Sequence, residues 1–266
     1  MCAAAAPVRA GWSATRLGWV TTSPATAAQA PARTAAIWAA LDPLVAAGSP
    51  LQVLDLGGGS GMFAVPLAAL GHQVTVVDPS ADALATLHRR AATAGAGHRV
   101  RGVQGDGDRM LTALPSGALF DLVLCHFVLE VVDEPASTLQ QLASALRPGG
   151  QLSLAVANRA GAVLGRAISG HPVEARALLA DRDPAPARSA PAHRRFDPAE
   201  LLALLTGAGL EPGEWHGVAV VADLLGASSG ADPDALRALE LALAGVSPYR
   251  DVATGLHVLA TRPTAG

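Results

Sequence analysis

The chain has 266 residues, half of them apolar, 3% aromatic, and a net charge of −3. That length suits one α/β domain with a substantial core, and the slight acidity excludes bulk attraction to nucleic acid, so a nucleic-acid partner needs a local arginine patch. The absence of lysine excludes a lysine nucleophile or base. The distant Cys2 and Cys125 exclude a disulfide framework or zinc spacing, and no apolar run reaches the roughly 18 residues of a membrane span. These features predict a cytoplasmic protein, with no membrane and no metal.

Residues 1–25, rich in Ala, Thr, Ser and Pro, read as a flexible N-terminal arm, and residues 26–266 as a single domain. A helix is predicted from about Thr26 to Ala46, with Arg33, Ile37, Trp38 and Leu41 at helical spacing. Strands follow over Leu51–Leu56 and Gln73–Asp78, separated by a helix over Gly61–Leu70 that Gly71 ends. Ser80 caps a helix to Ala94. Arg99–Gln104 and Leu119–Cys125 read as the third and fourth strands, Glu134–Leu146 as a helix and Gln151–Ala157 as the fifth strand. After Asn158 the pattern breaks. Residues 158–195 form an insertion rich in Pro and Arg, a placement that suits substrate selectivity. A helix starts at Asp197-Pro198. Val218–Val221 and Thr254–Thr261 read as the last strands, with a helix over Pro233–Leu243 between them. Strands alternating with helices predict a mostly parallel seven-stranded sheet covered on both faces.

The most informative segment is Val53-Leu-Asp-Leu-Gly-Gly-Gly-Ser-Gly61, followed by a strand that closes at Asp78. Glycines let a backbone approach a ligand closely, and a carboxylate at the next strand tip can accept hydrogen bonds from both ribose hydroxyls. Two patterns fit. Gly59-Ser-Gly61-Met-Phe-Ala64 satisfies the dinucleotide fingerprint G-x-G-x-x-G/A. Asp55, Gly57, Gly59 and Gly61 satisfy the acid-x-Gly-x-Gly-x-Gly run of the S-adenosylmethionine-dependent methyltransferases. Asp55 favours the second, because an acid under the turn suits a cationic sulfonium ligand. Phe120-Asp-Leu-Val-Leu-Cys-His126 and Leu146-Arg-Pro-Gly-Gly-Gln-Leu-Ser-Leu154 also resemble the fourth and fifth strand segments of that class. The resemblance implies the Rossmann-like class I methyltransferase fold, with a cap inserted after strand 5, and S-adenosyl-L-methionine as cofactor.

The whole chain further resembles the family that methylates the carboxyl group of 5-carboxymethoxyuridine at the tRNA wobble position. The resemblance rests on Arg33-Thr-Ala-Ala-Ile-Trp38, Gly71-His-Gln-Val74, His126-Phe-Val-Leu-Glu130, Asn158, Phe196-Asp-Pro198, Pro248-Tyr249 and His257-Val258. It implies that Arg33 grips the carboxylate of the cofactor's methionine end and that Gly57 and Gly58 line the turn beneath it. It also implies that Asp78 holds the ribose, that Gly107 and Asp108 contact the adenine, and that His126 faces the transferring methyl. The insertion, with Arg182, Arg188, Arg194 and Arg195 among Ala and Pro, is less basic than the family's, and Ala222-Asp-Leu224 departs from its pattern.

A carboxylate acceptor needs no general base, only an arginine to orient it, and Arg194, Arg195 and Arg250 are the candidates. Asn158, ending the fifth strand, can reach the acceptor. A phenol or amine acceptor would need a base, and His126 is then the catalytic candidate. Three functions therefore stand: methylation of tRNA, a small-molecule O- or N-methyltransferase, and a non-catalytic nucleotide-cofactor-binding protein.

Overall fold

The structure, a computed structural model, describes residues 29–46, 48–105, 114–115, 117–180, 194–225 and 230–264. The expected N-terminal arm lies outside them. The first described helix, α1 (Ala35–Val45), is entered through a single 3-10 turn at Ala32–Thr34 that follows Pro31. It is shorter than the 26–46 span expected.

Seven strands form one sheet: β1 (Gln52–Leu56), β2 (Gln73–Asp78), β3 (Val100–Gln104), β4 (Phe120–His126), β5 (Leu146–Ala157), β6 (Glu211–Val218) and β7 (Gly255–Thr261). Their order across the sheet is β3-β2-β1-β4-β5-β7-β6, with β7 antiparallel to both neighbours and the other pairs parallel. The central strands are buried on both faces, as uninterrupted apolar runs such as Val53-Leu54 and Leu122-Val-Leu124 dictate. One face packs Ile37, Trp38 and Leu41 of α1 with Leu67 of α2 (Ala64–Ala69) and Leu84 and Leu87 of α3 (Ala81–Thr93). The other face packs Leu139 and Leu142 of α4 (Pro135–Ala145), Phe196, and Leu201 and Leu205 of a later helix at Pro198–Gly207.

Ser80 caps α3 as expected, its hydroxyl accepting from the Ala83 N–H at 3.2 Å. The insertion contributes α5 (Arg159–Ile168) and α6 (Pro172–Ala180), which pack together. The later helix, α7 (Pro198–Gly207), opens with Pro198 and a capping box between Asp197 and Glu200.

Two expected elements move. Strand β6 lies over Glu211–Val218, not Val218–Val221. Pro212 and Gly213 read as a turn in sequence. At the sheet edge a missing N–H is tolerated, and the register shifts between Pro212 and Trp215. The Val218–Val221 run leaves the sheet because Ala219 takes a positive φ of 54°. The Glu240 carboxylate, on α8 (Pro233–Leu243), then accepts the N–H groups of Val220, Val221 and Ala222 at 2.7, 2.7 and 2.6 Å. Helix α2 also starts late, at Ala64, because Gly57, Gly59 and Gly61 all have positive φ and hold the preceding segment as a turn.

Candidate active site

A cavity of about 390 Å³ opens at the carboxyl ends of β1 and β4, where parallel sheets of this kind bind ligands. Its floor is Asp55 and the Gly57–Gly59 turn. Its walls include Phe63, His126 and Phe127, and its far rim is Val218, Ala219 and Asp223 facing Arg33.

The turn is fixed by main chain and by Asp78. The Gly57 N–H donates to the Val77 carbonyl at 2.7 Å. Asp78 accepts from the N–H of Gly59 at 2.9 Å and of Ser80 at 2.9 Å, one on each oxygen. A carboxylate with one bond on each oxygen keeps lone pairs for two hydroxyls. At Gly58, a Cβ would sit 2.4 Å from Asp55 Oδ2, so only glycine lets the turn close over that carboxylate. Gly61 has a different task. A Cβ there would meet Leu87 Cδ1 at 2.4 Å, so this glycine serves the packing of the turn on α3 and does not line the cavity.

Asp55 is 3% exposed, and its Oδ2 is buried without a hydrogen-bond partner. Burial first, then the nearby Asp78 charge, pushes its carboxyl up to about 7. Arg33 pairs with Asp223 at 3.0 Å across the rim, its side chain 67% exposed. An orphaned acid below and a guanidinium above fit a ligand that carries a cationic centre together with a carboxylate. The donor set therefore fits the zwitterionic end of S-adenosylmethionine.

His126 ends β4 with its ring edge-on to Phe63 at 4.6 Å between centroids. Its Nδ1 is buried without a partner, while Nε2 bonds Ser153 Oγ at 2.8 Å. Burial pushes its pKa down to about 3, so the ring is neutral at physiological pH. A ring with so low a pKa is a weak base, so it does not favour an acceptor that must first lose a proton. Cys125 beside it is fully buried, and burial pushes its thiol up, so it is inert as a nucleophile.

Most of the residues expected on the acceptor side are engaged elsewhere. Asn158 is fully buried. Its amide donates to the carbonyls of Asp251 and Ala253 at 3.0 and 2.8 Å, and its oxygen caps α5 at the Ala160 N–H. Arg194 donates to the carbonyls of Val132 and Asp133. Arg250 stacks over Trp215 at 4.3 Å and donates to the Trp215 carbonyl. Arg195 lies near Arg159, Arg166 and Glu130, and burial followed by the two like charges lowers its pKa. None of these four lines the cavity. Gly107 and Asp108 lie outside the described residues, as do Arg182 and Arg188.

Sequence reading overlooked the aromatic wall, the Glu240 clamp and the role of Asp223. Asp223 carried a signal, because it sits in the one short segment that departs from the family pattern.

The sheet order, the glycine turn and the paired acids define a nucleoside-cofactor transferase of the class I methyltransferase type. Consistent with that, residues 28–213 match the family described as "Methyltransferase domain", and the chain belongs to the S-adenosylmethionine-dependent methyltransferases. It is 32% identical over 235 residues to the tRNA 5-carboxymethoxyuridine methyltransferase of Escherichia coli strain K12, covering 87% of this chain and 88% of that one. It is 35% identical over 163 residues to the ubiquinone biosynthesis O-methyltransferase of Xanthomonas axonopodis pv. citri, covering 60% and 62%. Among solved structures it resembles magnesium protoporphyrin IX methyltransferase of Synechocystis PCC 6803 with bound SAH, with a TM-score of 0.56 at 18% identity over 87% and 84% of the two chains. S-adenosylmethionine is the cofactor, and the protein is an enzyme rather than a non-catalytic binding protein. Among the described residues, no group of three or more His, Cys, Asp or Glu could hold a metal, and no helix is long and apolar enough to cross a membrane.

Proposed function

We propose that the chain transfers a methyl group from S-adenosylmethionine to the carboxylate of 5-carboxymethoxyuridine at the wobble position of tRNA, in the cytoplasm. The observation that carries this reading is the reach of the likeness. The match to the tRNA enzyme runs over 87% of the chain, cofactor side and acceptor side together, whereas the match to the O-methyltransferase covers 60%.

The chemistry of the cavity supports it. The cofactor supplies a methyl group already activated on a sulfonium. Asp55 would face that cation, Arg33 would take the methionine carboxylate in place of or beside Asp223, Gly57–Gly59 would let the ligand lie against the main chain, and Asp78 would hold the ribose. Gly107 and Asp108 are assigned to the adenine. His126, a neutral group in the cavity wall, would face the methyl. Phe63 and Phe127 line the cavity and give it apolar walls. A carboxylate acceptor arrives as an anion, so no proton has to be removed, and an uncharged His126 is sufficient. Rate enhancement then comes from holding nucleophile and methyl in line at near-attack distance.

A small-molecule O- or N-methyl acceptor is the second reading, favoured by the net charge of −3 and the O-methyltransferase likeness. The deciding experiment incubates the protein with labelled S-adenosylmethionine and tRNA from a strain lacking the wobble carboxyl methylation, then identifies nucleosides by mass spectrometry. The methyl ester of 5-carboxymethoxyuridine is expected. No incorporation, alongside tight cofactor binding by calorimetry, would overturn the tRNA reading in favour of a small acceptor.

A further inference from the structure

Four strands place side chains in a line that runs from the cavity to the sheet edge. In register, His126 on β4 stands opposite Ala155 on β5, Ala155 opposite His257 on β7, and His257 opposite His216 on β6. Ala155 leaves a gap in that row. Ser153, two residues earlier and therefore on the same face, fills it. Its Oγ lies 2.8 Å from His126 Nε2 and 2.8 Å from His257 Nε2, and His257 Nδ1 lies 2.8 Å from His216 Nε2. Ser153 and His257 are fully buried.

A hydroxyl has one proton, so between two imidazole nitrogens it donates to one and accepts from the other. A neutral imidazole likewise donates through one nitrogen and accepts through the other. The row must therefore point in one direction throughout, and only two arrangements exist. In one, His126 shows a lone pair on Nδ1 to the cavity. In the other it shows an N–H. The Arg250 guanidinium lies close enough to His216 for its charge to lower the pKa of that ring, so a cation stands by the outer end of the row. A cation there favours His216 turning its lone pair outward and its Nε2–H inward. His257 then donates from Nε2 to Ser153, Ser153 donates to His126 Nε2, and the proton of His126 rests on Nδ1.

We propose that Ser153, His257 and His216 are positioning residues that hold His126 as its Nδ1–H tautomer, so that the buried end of the row presents a fixed hydrogen-bond donor to the acceptor carboxylate. Burial keeps the rings uncharged, with His126 pushed down to about 3 and His216 to about 4, so the row is governed by tautomer rather than by charge. A donor suits an anionic oxygen. An acceptor that must lose a proton would require the opposite polarity. The identity of the group that meets the donor rests on the carboxylate reading above, but the tautomer itself does not.

The test uses the full chain labelled with nitrogen-15 histidine, with His126 assigned by comparison with His126→Phe. The nitrogen shifts of His126 are expected to report a protonated Nδ1 and an unprotonated Nε2 in the free protein. Ser153→Ala should mix the two tautomers and lower kcat about tenfold with KM for S-adenosylmethionine unchanged, and Ser153→Thr, which restores the hydroxyl, should rescue both. An unprotonated Nδ1 in the parent protein, or a tautomer indifferent to Ser153→Ala, overturns the proposal. The parent spectrum decides even if the variant fails to fold. A protonated Nδ1 together with no tRNA methylation supports the row and counts against the acceptor reading alone.

Discussion

Around Gly57–Gly59 the cavity wall is main chain held largely by nearby main chain. Around Val218–Asp223 it is main chain held by side chains from distant helices. In the first region the bonds run from Gly57 to Val77 and from Gly59 to Asp78, all within two adjacent strands. In the second, Glu240 takes three backbone N–H groups, and Asp223 meets Arg33 across 190 residues of sequence. The contrast separates a turn fixed by its own neighbourhood from a rim fixed by remote partners. The glycine turn tolerates no change of shape, while the rim is set by a few contacts that substitution can move independently.

Several substitutions would break or sharpen that contrast. Glu240→Ala leaves one buried and two half-buried N–H groups without an acceptor, and stability in urea should fall by about 3 kcal/mol. Cofactor affinity in the surviving folded fraction should stay within about threefold, since the glycine turn is untouched. A comparable loss of cofactor binding would erase the division. Gly58→Ala should do the reverse. Its Cβ would overlap Asp55 Oδ2, costing about 1–3 kcal/mol of stability and removing cofactor binding measurable by calorimetry.

Asp55→Asn should weaken S-adenosylmethionine binding by about 10–100-fold, the worth of one buried charge-assisted contact. S-adenosylhomocysteine, which lacks the sulfonium charge, should lose less. The same residue sets a pH dependence. Asp55 and Glu130 are both raised to about 7 from 3.8 and 4.5, mainly by burial. Between those values the folded state binds more protons than the unfolded state. Their contribution to stability is complete below about pH 4 and is lost as pH rises through about 7. Thermal unfolding of the ligand-free protein should show this decline, and Asp55→Asn should flatten it. A cation over Asp55 favours the ionised form, so cofactor uptake below pH 7 should release a proton. Calorimetry in buffers of different ionisation heat measures that release.

The smallest effect is expected at the rim. Asp223→Asn removes a pair whose arginine is largely exposed, so stability should change by less than about 1 kcal/mol. Cofactor affinity should rise slightly as Arg33 is freed. A fall would mean that Asp223 positions Arg33 rather than competing for it.

The sequence was most legible where structure is local. The strands that carry Asp55 and Asp78 are short, mostly apolar segments, and the turn after the first is encoded by glycines whose φ values are positive. The helix starting at Pro198 carried its cap and its proline in adjacent positions. Legibility failed where a residue's partner is remote. Asn158 looks the same in sequence whether it faces a cleft or caps a helix, and only the distant Asp251 and Ala253 carbonyls decide the matter. His126, Ser153, His257 and His216 join across separations of 27, 104 and 41 residues, so no spacing rule could align them. Strand β6 was misplaced because Pro212 and Gly213 disfavour a central strand, and its place at the sheet edge is a property of topology rather than composition.

That topology also bears on synthesis. Among the described residues strand β6 pairs only with β7, and β7 inserts between β5 and β6 although it follows both in the chain. As the polypeptide leaves the ribosome, β1 to β5 can assemble while β6 has no partner and the flank of β5 stays open. An open strand flank is where other chains add on. The half of the molecule that carries the glycine turn can thus be formed before the half that carries the Val218–Asp223 rim, and nascent chains are exposed to strand addition until β7 arrives to occupy the gap.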